Sequence, residues 1–313
     1  MGAIRTVNEP AIETHNLTKV FPGGVRAVDG LDVQIPRGSV YGLIGRNGAG
    51  KTTLIRMLMG LLRPTGGRAE LLGQDMWTAD HLHRARMTYV SQELRLPRWL
   101  SLAEICEFLR HLYPRWDAAY AGRLLKRFEL DQARPTGLMS GGEQRKAAVL
   151  LAFAARPEVV LLDEPAAGMD PIARRQLIDE IVDLLTGDGE CTVLFSTHII
   201  SDLERIAELV GIMDRGKIVT QASLDDLRSR TKRVQVVFDG GSAPEGFTIP
   251  GAIRTTTEGP VVTAIVNIDS ETQLDGLQGR SDLRLNVFPL GLEEVFVALF
   301  GPAESSQLKE NQV

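Results

Sequence analysis

Two glycine-rich segments, 45–53 and 140–143, carry the residue types that bind phosphate groups, and an acidic pair follows the second segment. The first segment fits the pattern G-x-x-x-x-G-K-S/T, in which glycines let successive backbone N–H groups turn toward phosphate oxygens. The residues expected to contact a nucleotide there are Gly45, Asn47, Gly48, Ala49, Gly50, Lys51, Thr52 and Thr53. Lys51 would reach the β- and γ-phosphates, and the Thr52 hydroxyl would bind Mg²⁺. The alternative is a glycine turn without a ligand, but an apolar run precedes the loop and helical spacing follows it, as the phosphate-binding motif requires.

The acidic pair is Asp163-Glu164, at the end of the apolar run 159–162 that is typical of a central parallel strand. Such a strand delivers both carboxylates to the sheet edge where ligands collect in open α/β folds. We expect Asp163 to hold Mg²⁺, directly or through water, and Glu164 to accept a proton from an attacking water. The alternative is a solvated acidic turn ended by Pro165, which the phosphate loop makes less favoured.

Ser140 can cap the helix after it, and its hydroxyl with the N–H groups of Gly141 and Gly142 makes an anion-binding helix start. A helix cap without a ligand is the alternative interpretation. With Glu143 next, this segment resembles the LSGGQ signature motif of the ATP-binding cassette (ABC) ATPases, with Met139 at the leucine position and Glu143 at the glutamine position. The resemblance covers residues 11 to about 221, and it implies an ATPase that uses ATP and Mg²⁺.

The resemblance implies roles for four further residues. Gln92 matches the glutamine that contacts Mg²⁺ and the attacking water, and His198 matches the histidine that contacts the γ-phosphate. Asp170 matches the aspartate of a loop that crosses between two cassettes, and Phe21 stands where an aromatic ring stacks on adenine. Each has an ordinary alternative: a loop glutamine, a helix-capping histidine, an aspartate that caps the helix from Pro171, and an aromatic in plain packing.

The bulk composition is that of a globular protein. The 313 residues are 43% hydrophobic and 24% charged, and the formal charge of −5 argues against a broad nucleic-acid surface. Cys106 and Cys191 stand in no metal-ligand spacing and are expected to be free thiols in a reducing compartment. We find no signal-peptide pattern and no apolar run near the roughly 18 residues that span a bilayer, so we expect a cytoplasmic chain.

Strand-like runs alternate with helical patterns from about residue 11 to 221, which predicts an α/β fold with a mainly parallel sheet. We predict an N-terminal extension over 1–10, an ATPase domain over 11–230 with a helical insert at about 97–155, an α+β accessory domain over 231–300 and a disordered tail over 301–313. The resemblance adds a RecA-like core and an antiparallel β subdomain to the ATPase domain. A capping box is predicted at 270–273.

The ending 289–296, PLGLEEVF, and the segment 113–117, YPRWD, resemble ABC-2 exporter ATPases of the drug- and bacitracin-resistance types. This implies the ATP-binding subunit of an exporter, peripheral on the cytoplasmic face of the membrane through a separately encoded permease. One phosphate loop and one signature motif imply that a second cassette, in a homodimer or heterodimer, completes the site. The alternative function is a soluble clamp of the translation or DNA-repair type. The segment 51–163 is too short for the long coiled coil of repair-type members, and translation-type members usually carry two cassettes.

Overall fold

The structure is a computed structural model that describes residues 9–93, 95–188, 191–268, 271–278 and 280–300. It divides into two compact units, Met1–Gln221 and Ala222–Val313. Most of the predicted N-terminal extension and the whole predicted tail lie outside the described residues. In the described part of the chain, no helix is both long enough and apolar enough to cross a lipid bilayer.

The first unit alternates strands and helices. Its described strands are β1 (Pro10–Val20), β2 (Arg26–Pro36), β3 (Val40–Ile44), β4 (Gly66–Leu71), β5 (Gln74–Asp75), β6 (Met87–Val90), β7 (Val159–Asp163), β8 (Thr192–Thr197), β9 (Leu209–Asp214) and β10 (Lys217–Ser223), which ends just past the division. Its described helices are α1 (Lys51–Leu58), α2 (His81–Arg84), α3 (Leu102–Leu112), α4 (Ala118–Arg127), α5 (Gly141–Ala154), α6 (Pro171–Asp188) and α7 (Ile200–Ile206), with a 3-10 turn at Thr136–Leu138.

Two sheets share the core of this unit. A six-stranded sheet has the order β10-β9-β3-β8-β7-β6, and the pairs among β3, β6, β7, β8 and β9 are parallel. Every residue of β3, β7 and β8 is buried, and each strand contains a run of apolar residues, as is typical of central parallel strands. A four-stranded antiparallel sheet has the order β2-β1-β4-β5, and its apolar face packs with α1 in one core with the parallel strands. The predicted α/β class is confirmed.

The predicted insert is helical. Helices α3, α4 and α5 are directly preceded by Ser101, Asp117 and Ser140, and each of these side chains accepts a hydrogen bond from a backbone N–H of the first turn. The Asp117 carboxylate also lies 2.9 Å from the Arg156 guanidinium, which stacks 3.7 Å from the ring centre of Tyr120. These contacts attach the start of α4 to the end of α5.

The second unit is an α+β fold. Its elements are α8 (Leu224–Arg230), β11 (Thr231–Phe238), β12 (Ala252–Glu258), β13 (Val261–Asn267), a 3-10 turn (Glu271–Leu274), α9 (Asp275–Gln278), β14 (Leu283–Pro289) and α10 (Leu292–Phe300). The sheet is antiparallel in the order β12-β13-β11-β14, and alternate residues of β11 and β13 form its core.

Two sequence interpretations of this unit need correction. The chain divides after Gln221 and not after residue 230, because α8 packs with β11 and α10 of the second unit. Strand β12 was not predicted, since nearly all of its residues are exposed at the sheet edge and show no alternation. The predicted capping box at 270–273 lies partly outside the described residues.

Candidate nucleotide site

The phosphate loop lies between the end of β3 at Ile44 and the start of α1 at Lys51. The backbone of Ala49 holds it on two sides, donating to Arg46 O at 3.0 Å and accepting from Gly216 N at 2.9 Å. Gly50 precedes the helix with φ of +109°, and a Cβ there would lie 2.2 Å from Ala27 O. Only glycine can adopt this positive φ and lie so close to the carbonyl oxygen of Ala27.

The first turn of α1 carries the residues expected to contact phosphate and metal. Lys51 is 6% exposed, and its Nζ donates to Gly45 O at 2.7 Å, so the ammonium group folds back over the loop. Thr52 and Thr53 follow in the same turn and are half-buried, whereas Asn47 and Gly48 are exposed at the loop's tip. Exposed N–H groups at a helix N-terminus form an anion-binding surface.

The Asp163 carboxylate is fully buried at the carboxyl end of β7. The Ser196 hydroxyl on β8 donates to its Oδ1 at 2.7 Å, and the Tyr89 hydroxyl on β6 donates to its Oδ2 at 3.3 Å. Burial, together with the charge of Asp163, raises the pKa of Tyr89 to about 12, so the phenol stays protonated as a donor at neutral pH. Both neighbouring strands therefore orient this carboxylate.

The Glu164 carboxylate lies between two nitrogen groups. Its Oε1 is 3.3 Å from Lys51 Nζ, and its Oε2 is 2.5 Å from His198 Nδ1. The backbone has φ of +48°, a left-handed conformation that is strained for a side chain with a Cβ, and its N–H donates to Ser196 O at 3.1 Å. The strained turn directs the carboxylate to the nucleotide loop, where it is 6% exposed.

The loops after β1, β6 and β7 carry the other predicted residues. Gln92 is exposed two residues beyond β6, and Arg145 Nη2 lies 3.5 Å from its carbonyl oxygen. Phe21 follows β1, is 36% exposed, and has Lys19 Nζ 5.4 Å from its ring centre. Asp170 accepts hydrogen bonds from the N–H groups of residues 172 and 173, both at 3.0 Å. It therefore caps α6, which is the alternative role considered for this residue from the sequence.

The signature segment forms a capping box at the start of α5. Ser140 Oγ accepts from Glu143 N at 3.2 Å, and Glu143 Oε2 accepts from Ser140 N at 2.6 Å. Gly141 and Gly142 form the first turn between them. Among the described residues, no hydrogen bond or ion pair joins this segment to the phosphate loop.

The chain itself thus brings four predicted residues into one contact network, namely Lys51, Asp163, Glu164 and His198, through Ser196 and the end of β7. The sequence did not predict that Ser196 and Tyr89 contact Asp163. Both lie near motif residues along the chain, two residues before His198 and three before Gln92, but their contact with Asp163 depends on strand pairing.

Comparison with known proteins agrees with this geometry. Residues 28–167 match the sequence model of the family described as ABC transporter. The chain is 33% identical to the daunorubicin/doxorubicin resistance ATP-binding protein DrrA of Streptomyces peucetius, over 96% of each chain. It is 30% identical to the bacitracin transport ATP-binding protein BcrA of Bacillus licheniformis, over 71% of this chain and 72% of that one. A solved ATP-binding subunit of an ABC transporter superposes with a TM-score of 0.63 at 26% identity, over 70% of this chain and 92% of that chain. With the phosphate loop, its acidic strand end and the signature segment in place, these matches make the chain an ATPase of the ABC transporter ATP-binding family.

Proposed function

We propose that this ATPase is the motor subunit of an exporter, in which ATP-driven pairing of two cassettes drives transport through a separate membrane subunit. The relatives support this function over a soluble clamp, because their names describe drug-resistance and bacitracin-transport ATP-binding proteins. On this proposal the chain works at the cytoplasmic face of the membrane, held there by its permease.

The observation that carries the hydrolytic role is the Glu164 carboxylate, held between Lys51 and His198 at the strand end beside the phosphate loop. In our proposal Glu164 accepts the proton of the attacking water, and His198 and Gln92 position that water and the γ-phosphate. Lys51 and the loop N–H groups bind the phosphates, and Phe21 stacks on adenine.

The oxygen donors near Asp163 fit a Mg²⁺ ion. The carboxylate is fully buried, yet its hydrogen-bond partners among the described residues are the neutral hydroxyls of Ser196 and Tyr89. A buried charge without a cationic partner is costly unless a cation binds it. We propose that Asp163, the Thr52 hydroxyl and the Gln92 side-chain oxygen hold Mg²⁺, which would neutralise charge on the phosphates.

A nucleotide site that includes both the phosphate loop and the signature segment requires a second cassette. In the described residues of this chain, the signature segment makes no hydrogen bond or ion pair with the phosphate loop. Both segments lie at helix N-termini, which bind anions. We therefore propose that Ser140, Gly141, Gly142 and Glu143 close over the nucleotide bound by another copy, with Asp170 near the contact. A head-to-tail pair then contains two complete sites.

Replacement of the proposed base tests the hydrolytic role. Glu164→Gln should abolish turnover but keep ATP binding, and it should accumulate an ATP-bound dimer on size exclusion. Glu158→Gln is the matched control, since Glu158 lies just before the other end of β7 and pairs with Arg86 at 2.8 Å. Rapid hydrolysis by Glu164→Gln would exclude Glu164 as the base, whereas the control should hydrolyse ATP like the unaltered chain.

Mixed dimers test the assembly. One chain carries Ser140→Arg and the other is unaltered, and nucleotide occupancy is read with a photoreactive ATP that labels each chain separately. We expect the loss of labelling on the unaltered chain, whose nucleotide needs the altered signature segment. A defect confined to the nucleotide of the altered chain would refute the head-to-tail arrangement.

Stimulation of hydrolysis tests the transport role. The ATPase rate of the chain is measured alone and after reconstitution with the membrane protein that co-purifies with it. We expect a higher rate in the reconstituted complex, because a permease partner brings two cassettes together. Full activity without any membrane protein, unchanged on reconstitution, would favour a soluble clamp.

A further inference from the structure

The signature segment contains a carboxylate, Glu143, where the resembling motif has an uncharged glutamine. Its Oε2 accepts from Ser140 N at 2.6 Å, and Ser140 Oγ accepts from Glu143 N at 3.2 Å. The backbone N–H and hydroxyl of Ser140 hold the pKa of the Glu143 carboxyl below its usual range. The group is therefore a full negative charge at neutral pH, placed at the helix start that should receive a nucleotide.

That charge opposes the proposed role of the segment. A triphosphate carries several negative charges, and a carboxylate within a few ångströms of it repels it. The N–H groups at the start of α5 attract anions, but Glu143 itself already occupies the N–H of Ser140. Without compensation, the negative charge would weaken closure on ATP.

Arg134 supplies the compensating charge. Its Nη1 lies 3.0 Å from Glu143 Oε1, on the carboxylate oxygen that does not cap the helix, and its Nη2 donates to Leu138 O. The side chains of Arg134 and Glu143 are 40% and 34% exposed, so the pair lies at a surface where another chain can approach. The guanidinium thus contacts both the carboxylate and the backbone two residues before Ser140.

We propose that Arg134 is a positioning residue for ATP-driven dimerisation: it neutralises Glu143 and holds the segment from Leu138 to Glu143, so that the partner's triphosphate can approach. This inference rests on the head-to-tail assembly proposed above. An ion pair at this exposure contributes little to folding, so its effect should appear in the response to ATP and not in stability.

The test uses the full chain carrying Glu164→Gln as the parent and measures the dimer fraction against ATP concentration by light scattering. Adding Arg134→Ala should raise the ATP concentration for half-maximal dimer formation about tenfold at low salt. The increase should be smaller at high salt, because ions screen the repulsion between Glu143 and the triphosphate. Adding Glu143→Gln to Arg134→Ala should return that concentration to within about twofold of the parent. Arg134→Lys should retain most of the function.

The matched control is Arg110→Ala, since Arg110 pairs with Glu107 at 2.6 Å on α3 of the same insert. It should leave the ATP dependence of the parent unchanged. Should Arg134→Ala fold poorly, Arg134→Gln removes the same charge but keeps a polar side chain with part of the aliphatic stem. A purely structural defect would shift the melting temperature and would not be rescued by Glu143→Gln.

Two results overturn the inference in distinguishable ways. A parent that forms no dimer with ATP removes the proposed assembly and this inference with it. A parent that dimerises normally, while the Arg134 variant keeps the same ATP dependence or is not rescued by Glu143→Gln, refutes only the role of Arg134.

Discussion

Gly50→Ala should disrupt the phosphate loop through two separable costs. The backbone there has φ of +109°, which strains any residue with a Cβ by about 1–3 kcal/mol. The new Cβ would also lie 2.2 Å from Ala27 O and 2.8 Å from Met213 Cε. The methionine end can move, but the backbone carbonyl of β2 cannot, and such overpacking costs about 1–3 kcal/mol more. We expect a total loss of about 4 kcal/mol.

Gly73→Ala is the matched control because it carries the strain without the clash. Gly73 has φ of +79°, and a Cβ at this position would meet nothing within 4 Å. In a unit of this size each kcal/mol lowers the melting temperature by about 2–4 °C. Gly50→Ala should therefore melt about 8–16 °C lower than the unaltered chain and lose nucleotide binding. Gly73→Ala, with a strain of about 2 kcal/mol and no clash, should melt about 4–8 °C lower and keep nucleotide binding.

Differential scanning calorimetry and titration with a fluorescent ATP analogue measure both effects. Equal melting temperatures for the two variants would refute the close approach between the loop and Ala27 O. Full nucleotide binding by Gly50→Ala would refute the claim that this backbone position shapes the phosphate site.

Three further perturbations follow from other contacts. Tyr89→Phe removes a hydroxyl that donates to Asp163 at 3.3 Å, so steady-state hydrolysis should fall roughly two- to tenfold, with the ATP affinity nearly unchanged. Burial raises the pKa of the Asp202 carboxyl in the folded chain, although Arg174 lies 3.4 Å away. The carboxyl therefore lowers the stability of the fold as the pH rises above about 3.9, its pKa in the unfolded chain. Asp202→Asn should therefore gain stability relative to the unaltered chain as the pH is raised above about 4, measured in urea titrations. Asp117→Ala removes the cap of α4 and should cost about 1–2 kcal/mol of unfolding free energy in the same titrations.

Each of these expectations has a contrary result. Unchanged hydrolysis in Tyr89→Phe would mean that Ser196 alone orients Asp163. A stability difference for Asp202→Asn that shrinks or reverses as pH rises would show that Arg174 outweighs the burial of the carboxylate. An Asp117→Ala chain as stable as the unaltered one would show that water replaces the cap.

Local patterns in the sequence were sufficient to predict much of the architecture and to locate the motif residues along the chain. The strand, glycine loop and helix around Lys51 are consecutive in the chain, and their residue types meet local requirements of turn geometry and helix capping. Continuous apolar runs mark β7 and β8 because both faces of those strands are buried. The roles of all the motif residues in binding and hydrolysis remain predictions, and the surroundings of Phe21 and Gln92 do not by themselves indicate a ligand.

The tertiary structure alone decided which side chains meet. Asp163 and Ser196 face each other because β7 and β8 pair in parallel, and that register joins residues far apart in sequence. The pairing of Arg134 with Glu143 depends on how the turn before Thr136–Leu138 packs against the start of α5. Strand β12 and the division after Gln221 likewise follow from packing, since neither leaves a periodic signal in the sequence. Periodicity reports local burial, whereas register and charge pairing arise only when distant segments are brought into contact.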